Sequence, residues 1–192
     1  MIATSRLHTA PTGPALELGR VKEHLRVDHS TEDALIEALI HTATEWVETF
    51  TSRALLTQTW DALFDRIPEA GVMRLPKAPV ASITHVKYID TNGVQTTWPT
   101  LEWQGDIASA PARIVPAYGY TWPIARQQLH PWEVRYVVGY GDAADVPAGI
   151  HQAMLLIIGH WFEHRESVSD FQVFGVPLAS EHLLWRYRVP SI

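Results

Sequence analysis

Three residues near position 160 have the types and spacing for metal chemistry. His160, Glu163 and His164 spell H-x-x-E-H. Two histidines at i and i+4 share one face of a helix. There they could hold one zinc ion while the glutamate takes a proton from zinc-bound water, as in an inverted zinc hydrolase. Such a site needs a third protein ligand, and Glu181 or His182 are the residues placed to offer one. The string is short, however, and the chain carries ten histidines, so it arises easily by coincidence. His160 sits between Gly159 and Trp161 in an apolar run, and Glu163, His164, Arg165 and Glu166 read as the charged end of a helix meeting solvent.

No other residue set makes a stronger claim. The remaining histidines are scattered. There is no cysteine, which excludes a disulfide framework, a thiolate zinc site and a thiol nucleophile. Gly139-x-Gly141 lacks the third glycine of a nucleotide-binding loop, and no G-x-S-x-G elbow occurs. Asp142 and Asp145 precede an apolar run and read as helix caps. Arg186, Tyr187 and Arg188 make a small basic-aromatic segment, a composition that suits anchoring to a partner. No cofactor is expected.

The elements that would position these residues follow from periodicity. Residues 1–15 read as an arm broken by Pro11, Gly13 and Pro14. Leu18, Val21 and Leu25 mark a short amphipathic helix. A longer helix opens at Ser30, whose hydroxyl can cap the amide of Asp33. Its apolar stripe is Ile36, Ile40, Ala43, Val47 and Phe50, widened by Leu35 and Leu39, with Glu37, Glu45 and Glu48 solvated. Beyond Leu55 the pattern turns extended. Residues 57–64 and 80–89 are β-rich, and Asn92-Gly93 signals a hairpin with a type I′ turn. Residues 117–131 read as loop. Trp132, Val134, Tyr136 and Val138 alternate with Glu133 and Arg135, which predicts a half-buried strand.

Residues 146–166 carry the strongest helix signal. Pro147 suits the first turn, and Ile150, Met154, Ile157 and Trp161 form the main buried face. Residues 167–177 read as a loop carrying Phe171 and Phe174, and residues 178–187 as a last short helix. The expected fold is α+β: a small helical bundle of N- and C-terminal helices with an inserted antiparallel β subdomain. The expected layout is an arm at 1–15, a helical core from 16–54 and 142–188, a β-rich insertion at 55–141 and a tail at 189–192.

The totals limit the function. Fifteen basic against 21 acidic residues leave a formal charge of −6, the wrong sign for a protein that grips duplex DNA but suitable for a wall that DNA slides past. The longest apolar run, residues 154–158, is far too short to span a bilayer. No membrane association is expected.

Several segments in fixed order resemble one family. They are residues 21–60 (VKEHLRVDHSTEDALIEALIHTATEWVETFTSRALLTQTW), 75–93 (LPKAPVASITHVKYIDTNG), 111–123 (PARIVPAYGYTWP), 134–166 (VRYVVGYGDAADVPAGIHQAMLLIIGHWFEHRE) and 183–189 (LLWRYRV). Together they resemble the head–tail connector (adaptor) proteins of long-tailed phages and phage-like gene transfer agents. The resemblance implies a structural virion protein without enzyme activity, assembled in the bacterial host cytoplasm and located in the particle neck. It implies a homo-oligomeric, dodecameric ring beneath the portal protein, joined on its other side to a tail or head-closure (stopper) protein. Double-stranded DNA would pass through the hole without sequence-specific binding. It places portal docking in Leu184, Trp185, Arg186, Tyr187, Arg188 and Val189. In that family the string at His160 commonly ends in asparagine, so His164 lies outside the pattern. The readings set beside this one are the zinc hydrolase and another neck component, a head-completion or tail-terminator protein.

Overall fold

The computed structural model describes residues 4–164 and 177–190. Its elements run, in chain order, β1 (Thr4–Thr9), α1 (Leu18–Leu25), α2 (Asp33–Thr51), β2 (Gln58–Phe64), β3 (Met73–Arg74), β4 (Val80–Ile89), β5 (Gln95–Thr97), β6 (Trp103–Asp106), β7 (Arg113–Pro116), β8 (Trp132–Val138), α3 (Ala148–Glu163) and α4 (Leu178–Trp185). They divide between two compact units. A helical unit comprises Thr12–Leu56 and Gly141–Arg188, and a β unit comprises Met1–Pro11, Thr57–Tyr140 and Val189–Ile192. The fold is α+β, with helices and two antiparallel sheets.

In the helical unit, α3 packs against α1, α2 and α4. Its Ile150, Met154, Ile157 and Ile158 are buried, as are Ala153 and Leu155, so it is enclosed on most of its circumference. Helix α2 buries Ile36, Ile40, Ala43 and Val47 at spacings of four, three and four, the stripe expected of a helix lying on a core. Phe50 and Trp161 are only half-buried, and Leu35 is exposed. Each sits at the edge of its stripe, where the helix surface curves away from its neighbours.

Helix α2 begins at Asp33 rather than at Ser30, and no side chain caps it. The Asp33 amide donates instead to the main-chain carbonyl of Ser30 at 3.2 Å. The Asp33 carboxylate accepts from Lys22 Nζ at 2.5 Å, which ties α1 to the start of α2. Before α3, the amide of Asp142 donates to Asp145 Oδ2 at 3.0 Å, so the pair caps the short 3-10 turn Ala143–Asp145 and Pro147 then precedes α3. Helix α3 ends at Glu163. The expected continuation to residue 166 and the loop with Phe171 and Phe174 lie outside the described residues.

The β unit holds a five-stranded antiparallel sheet in the order β1-β2-β8-β4-β5 and a three-stranded sheet in the order β3-β7-β6. Strand β8 is flanked by β2 and β4, and its Trp132, Val134, Tyr136 and Val138 are all buried, as the alternation predicts. Residues 4–9, expected to be part of an arm, form the edge strand β1 on β2. All six are exposed, so no apolar pattern could have marked them as a strand.

The hairpin between β4 and β5 forms with a different turn. Only Gly93 has positive φ (87°), while a type I′ turn needs two such residues. Asp90 is the cause. Its Oδ1 accepts the amides of Asn92 (2.9 Å) and Val94 (2.8 Å), which holds Thr91 and Asn92 in an ordinary turn and leaves the reversal to glycine.

Candidate functional site

The zinc reading finds no site to occupy. His160 is half-buried and His164 exposed, with their rings 4.7 Å apart. His164 Nδ1 lies 3.0 Å from the carbonyl oxygen of His160, so this imidazole turns back onto its own helix end. Among the described residues no three His, Asp or Glu groups converge to hold a metal ion. Neither Glu181 nor His182 therefore completes a triad with His160, Glu163 and His164, and the string is the solvated end of α3.

The basic-aromatic segment at 184–189 is more closely folded than its composition suggests. Leu184 is fully buried and Val189 nearly so within this chain. Arg53 Nε donates to the carbonyl oxygen of Tyr187 at 2.5 Å, and the Tyr187 hydroxyl lies against Gly149 at the start of α3. Trp185 meets Phe50 edge-on at 6.2 Å, and Phe50 stacks on Trp46 at 5.0 Å. The Arg188 guanidinium lies over both Trp185 (5.0 Å) and Phe50 (5.5 Å), while Arg186 lies over Tyr187 at 5.3 Å. Cation–π contacts of this kind hold a guanidinium in place while leaving its outward N–H groups free for water or a partner. What the helical unit presents here is one composite surface of Trp46, Phe50, Trp185, Arg186 and Arg188. Trp185, Arg186 and Arg188 are its exposed members. Sequence reasoning found the α4 half and missed Trp46 and Phe50, because α2 reads as a core helix.

A second feature escaped sequence reasoning entirely. Strand register places Arg6, Asp61, Arg135 and His85 side by side across β1, β2, β8 and β4. Asp61 is fully buried, and its carboxylate accepts from Arg6 Nη2 at 2.8 Å and from Arg135 Nε at 2.7 Å. Burial alone would raise its pKa, but the hydrogen bonds from Arg135 and Arg6 outweigh it and hold the group at about 2. Glu133, one row away, lies 3.2 Å from His85 and 3.8 Å from Arg6. Glu133 and Arg135, expected on a solvated face, thus form a charge ladder that fastens the N-terminal strand to the sheet. The ladder has no open coordination position or nucleophile. Its arrangement is structural.

Residues 16–97, from the approach to α1 through β5, match the family model of phage gp6-like head-tail connector proteins. Over that stretch the chain is similar to the head–tail connector proteins. Solved structures extend the likeness to the whole fold. A chain in the neck of an empty gene transfer agent (GTA) particle, computed with C6 symmetry, aligns with TM-score 0.78 and 25% identity over 98% of this chain and 97% of that one. A chain in the neck of the native GTA particle, computed with C12 symmetry, gives TM-score 0.76 and 26% identity over the same shares. A chain of the native GTA virion shares the fold at TM-score 0.81 and 24% identity, again over 98% and 97%. A comparison with curated proteins finds no significant match. The connector likeness supports a structural role, and the hydrolase reading has no support beside it.

Proposed function

We propose that this chain is a head–tail connector (adaptor) subunit that forms a closed ring in the neck of a phage or gene transfer agent particle. The observation that carries the reading is the whole-chain likeness to chains of GTA necks, combined with the connector family match over residues 16–97. The C6 and C12 symmetries of those necks support a ring, and twelve copies of this chain is the expected number. A ring subunit must meet its neighbour through two different surfaces, and the two units of this chain offer different chemistry for that purpose.

In this reading the ring lies beneath the portal protein, extends the DNA channel and joins head to tail through a stopper or tail protein. The composite surface of Trp46, Phe50, Trp185, Arg186 and Arg188 is the portal-docking face. Arginine and tryptophan recur among residues that dominate binding energy. The formal charge of −6 suits a channel wall that DNA passes without sticking. No catalytic step, metal or cofactor enters the role. Among the described residues no helix is long and apolar enough to cross a membrane.

Imaging of purified particles with the chain carrying a visible label tests the reading. A label ring at the head–tail junction is expected. Its absence from particles, or its presence on the shell or tail tip, would overturn it.

A further inference from the structure

Strand β1 lies at the edge of the five-stranded sheet, and all six of its residues are exposed. It is held by its backbone ladder to β2 and by the charges around Asp61. Arg6 Nη2 reaches Asp61 at 2.8 Å and Glu133 at 3.8 Å, and His8 Nδ1 lies 3.9 Å from Asp61. Release of the strand would uncover the edge of β2 and one side of Asp61 without withdrawing a buried side chain from the core. An uncovered edge is a template for another strand.

The connection that follows β1 is built to move. Residues 10–14 form no helix or strand, and Ala10, Thr12, Gly13 and Pro14 are exposed. The chain is fixed again at Ala15 and Leu16, both buried, where the Ala15 carbonyl accepts from His151 Nε2 at 3.2 Å. Pro11 and Pro14 disfavour compact backbone in the residues before them, Ala10 and Gly13. Gly13 holds φ 89° with open space around it, and glycine leaves that conformation at no steric cost. Residues 10–14 are thus a hinge that reaches roughly 17 Å when straight.

We propose that β1 is exchanged around the ring: Thr4–Thr9 of each subunit pairs with β2 of the next, and Arg6 seats on the neighbour's Asp61. The inference rests on the connector reading, which supplies the ring. A second copy is the occupant because the structure records what the β2 edge accepts. Register sets Thr4, Ser5, Arg6 and Leu7 opposite Leu63, Ala62, Asp61 and Trp60. The buried Asp61 carboxylate takes Arg135 from one side and Arg6 from the other. An identical chain brings that second arginine in the same register. Every contact made within the chain is therefore recovered between chains, which is why exchange of an identical element is cheap. In a ring the neighbour's edge is held at high effective concentration. A subunit that gives up its strand leaves its own edge open for the next, so the exchange propagates. Donor strand and acceptor edge are different surfaces, as a closed head-to-tail ring requires.

The chain has no cysteine, so a disulfide across β1 and β2 tests the exchange cleanly. Ser5→Cys with Ala62→Cys places two thiols on directly opposite residues. Oxidised in the isolated chain, the pair should close within one molecule, which also reports that the variant folds. If it fails to close there, Thr4→Cys with Leu63→Cys, the adjacent register pair, takes its place. Oxidised in assembled particles, the pair should give a ladder of covalent multimers of this chain on a non-reducing gel. Chains locked by oxidation before assembly should be lost from particles, and reduction should restore them. Internally bridged monomers from oxidised particles, bridges to a different neck protein, or no bridge from either pair would overturn the exchange. Locked chains entering particles at the wild-type level would overturn it as well. Each of these outcomes leaves the connector reading intact, because the chain is in the particle. Particles that never contain the wild-type chain would sink the connector reading and the exchange with it.

Discussion

Arg6 and Asp61, 55 positions apart in sequence, face each other across β1 and β2 with Nη2 donating to Oδ2 at 2.8 Å. The side chain of Asp61 is wholly buried, while that of Arg6 is 59% exposed and that of Arg135 25%. One buried carboxylate therefore gathers two arginines from the strands on either side, and a strand with no buried residue of its own is held to the sheet. Asp61→Asn should destabilise the chain by about 3 kcal/mol, because it leaves the partly buried Arg135 without its counter-charge. Arg6→Ala should cost about 1 kcal/mol or less, since that arginine is mostly in water. Denaturant unfolding of the three proteins checks the order, and equal midpoints for wild type and Asp61→Asn would contradict it.

Acid should loosen the same ladder. The carboxyl of Asp61 is held at about 2, below its ordinary 3.8. A depressed carboxylate contributes stability that is fully present above the unfolded pKa and is lost as pH falls through the folded one. The loss should thus fall between about pH 4 and pH 2 and amount to about 2 kcal/mol. Unfolding measured across that window should show the loss in wild type and a smaller one in Asp61→Asn. An identical pH dependence in both would rule the ladder out as its source.

His151 should titrate below the ordinary histidine value of about 6.5. Burial is the main cause and the charge of Arg20 the next. Because the folded pKa is depressed, the unfolded chain takes up the proton first as pH drops below that value. The helical unit should therefore lose stability on acidification from neutrality, until His151 protonates in the folded state as well. Proton NMR of the His151 ring gives the midpoint directly. Arg20→Ala should move it upward, and a wild-type midpoint at or above 6.5 would refute the assignment.

The proposed docking surface calls for point changes rather than a truncation. Removing residues 185–192 would strip Trp185 and Arg188 from Phe50 and the Tyr187 carbonyl from Arg53, disturbing the helical unit itself. Arg186→Glu alters an exposed residue whose described contact is with Tyr187. It should weaken binding to the portal roughly tenfold or more while changing stability by less than about 0.5 kcal/mol. Pull-down with purified portal, set against thermal melting, separates the two effects. Full-strength portal binding by this variant would remove Arg186 from the docking face.

The sequence by itself determined the long helices, the central strand and the family likeness. The 3.6-residue stripe of α2, the apolar run of α3 and the alternation of β8 are properties of contiguous residues, so they can be read from one segment at a time. The ordered segments that resemble connectors are local in the same sense. Tertiary structure alone decided what lies beside what. Asp61 reads as one polar residue in an aromatic strand, and Arg135 as the outward half of an alternation. Only the strand order β1-β2-β8-β4 sets them in a row with Arg6 and His85. Likewise, Trp185 and Arg188 look like members of a basic-aromatic docking segment alone until α4 packs on α2 and brings Phe50 beneath them. Periodicity reports which way a side chain faces along its own segment; its partner is set by packing between segments far apart in the chain, and no local pattern records that.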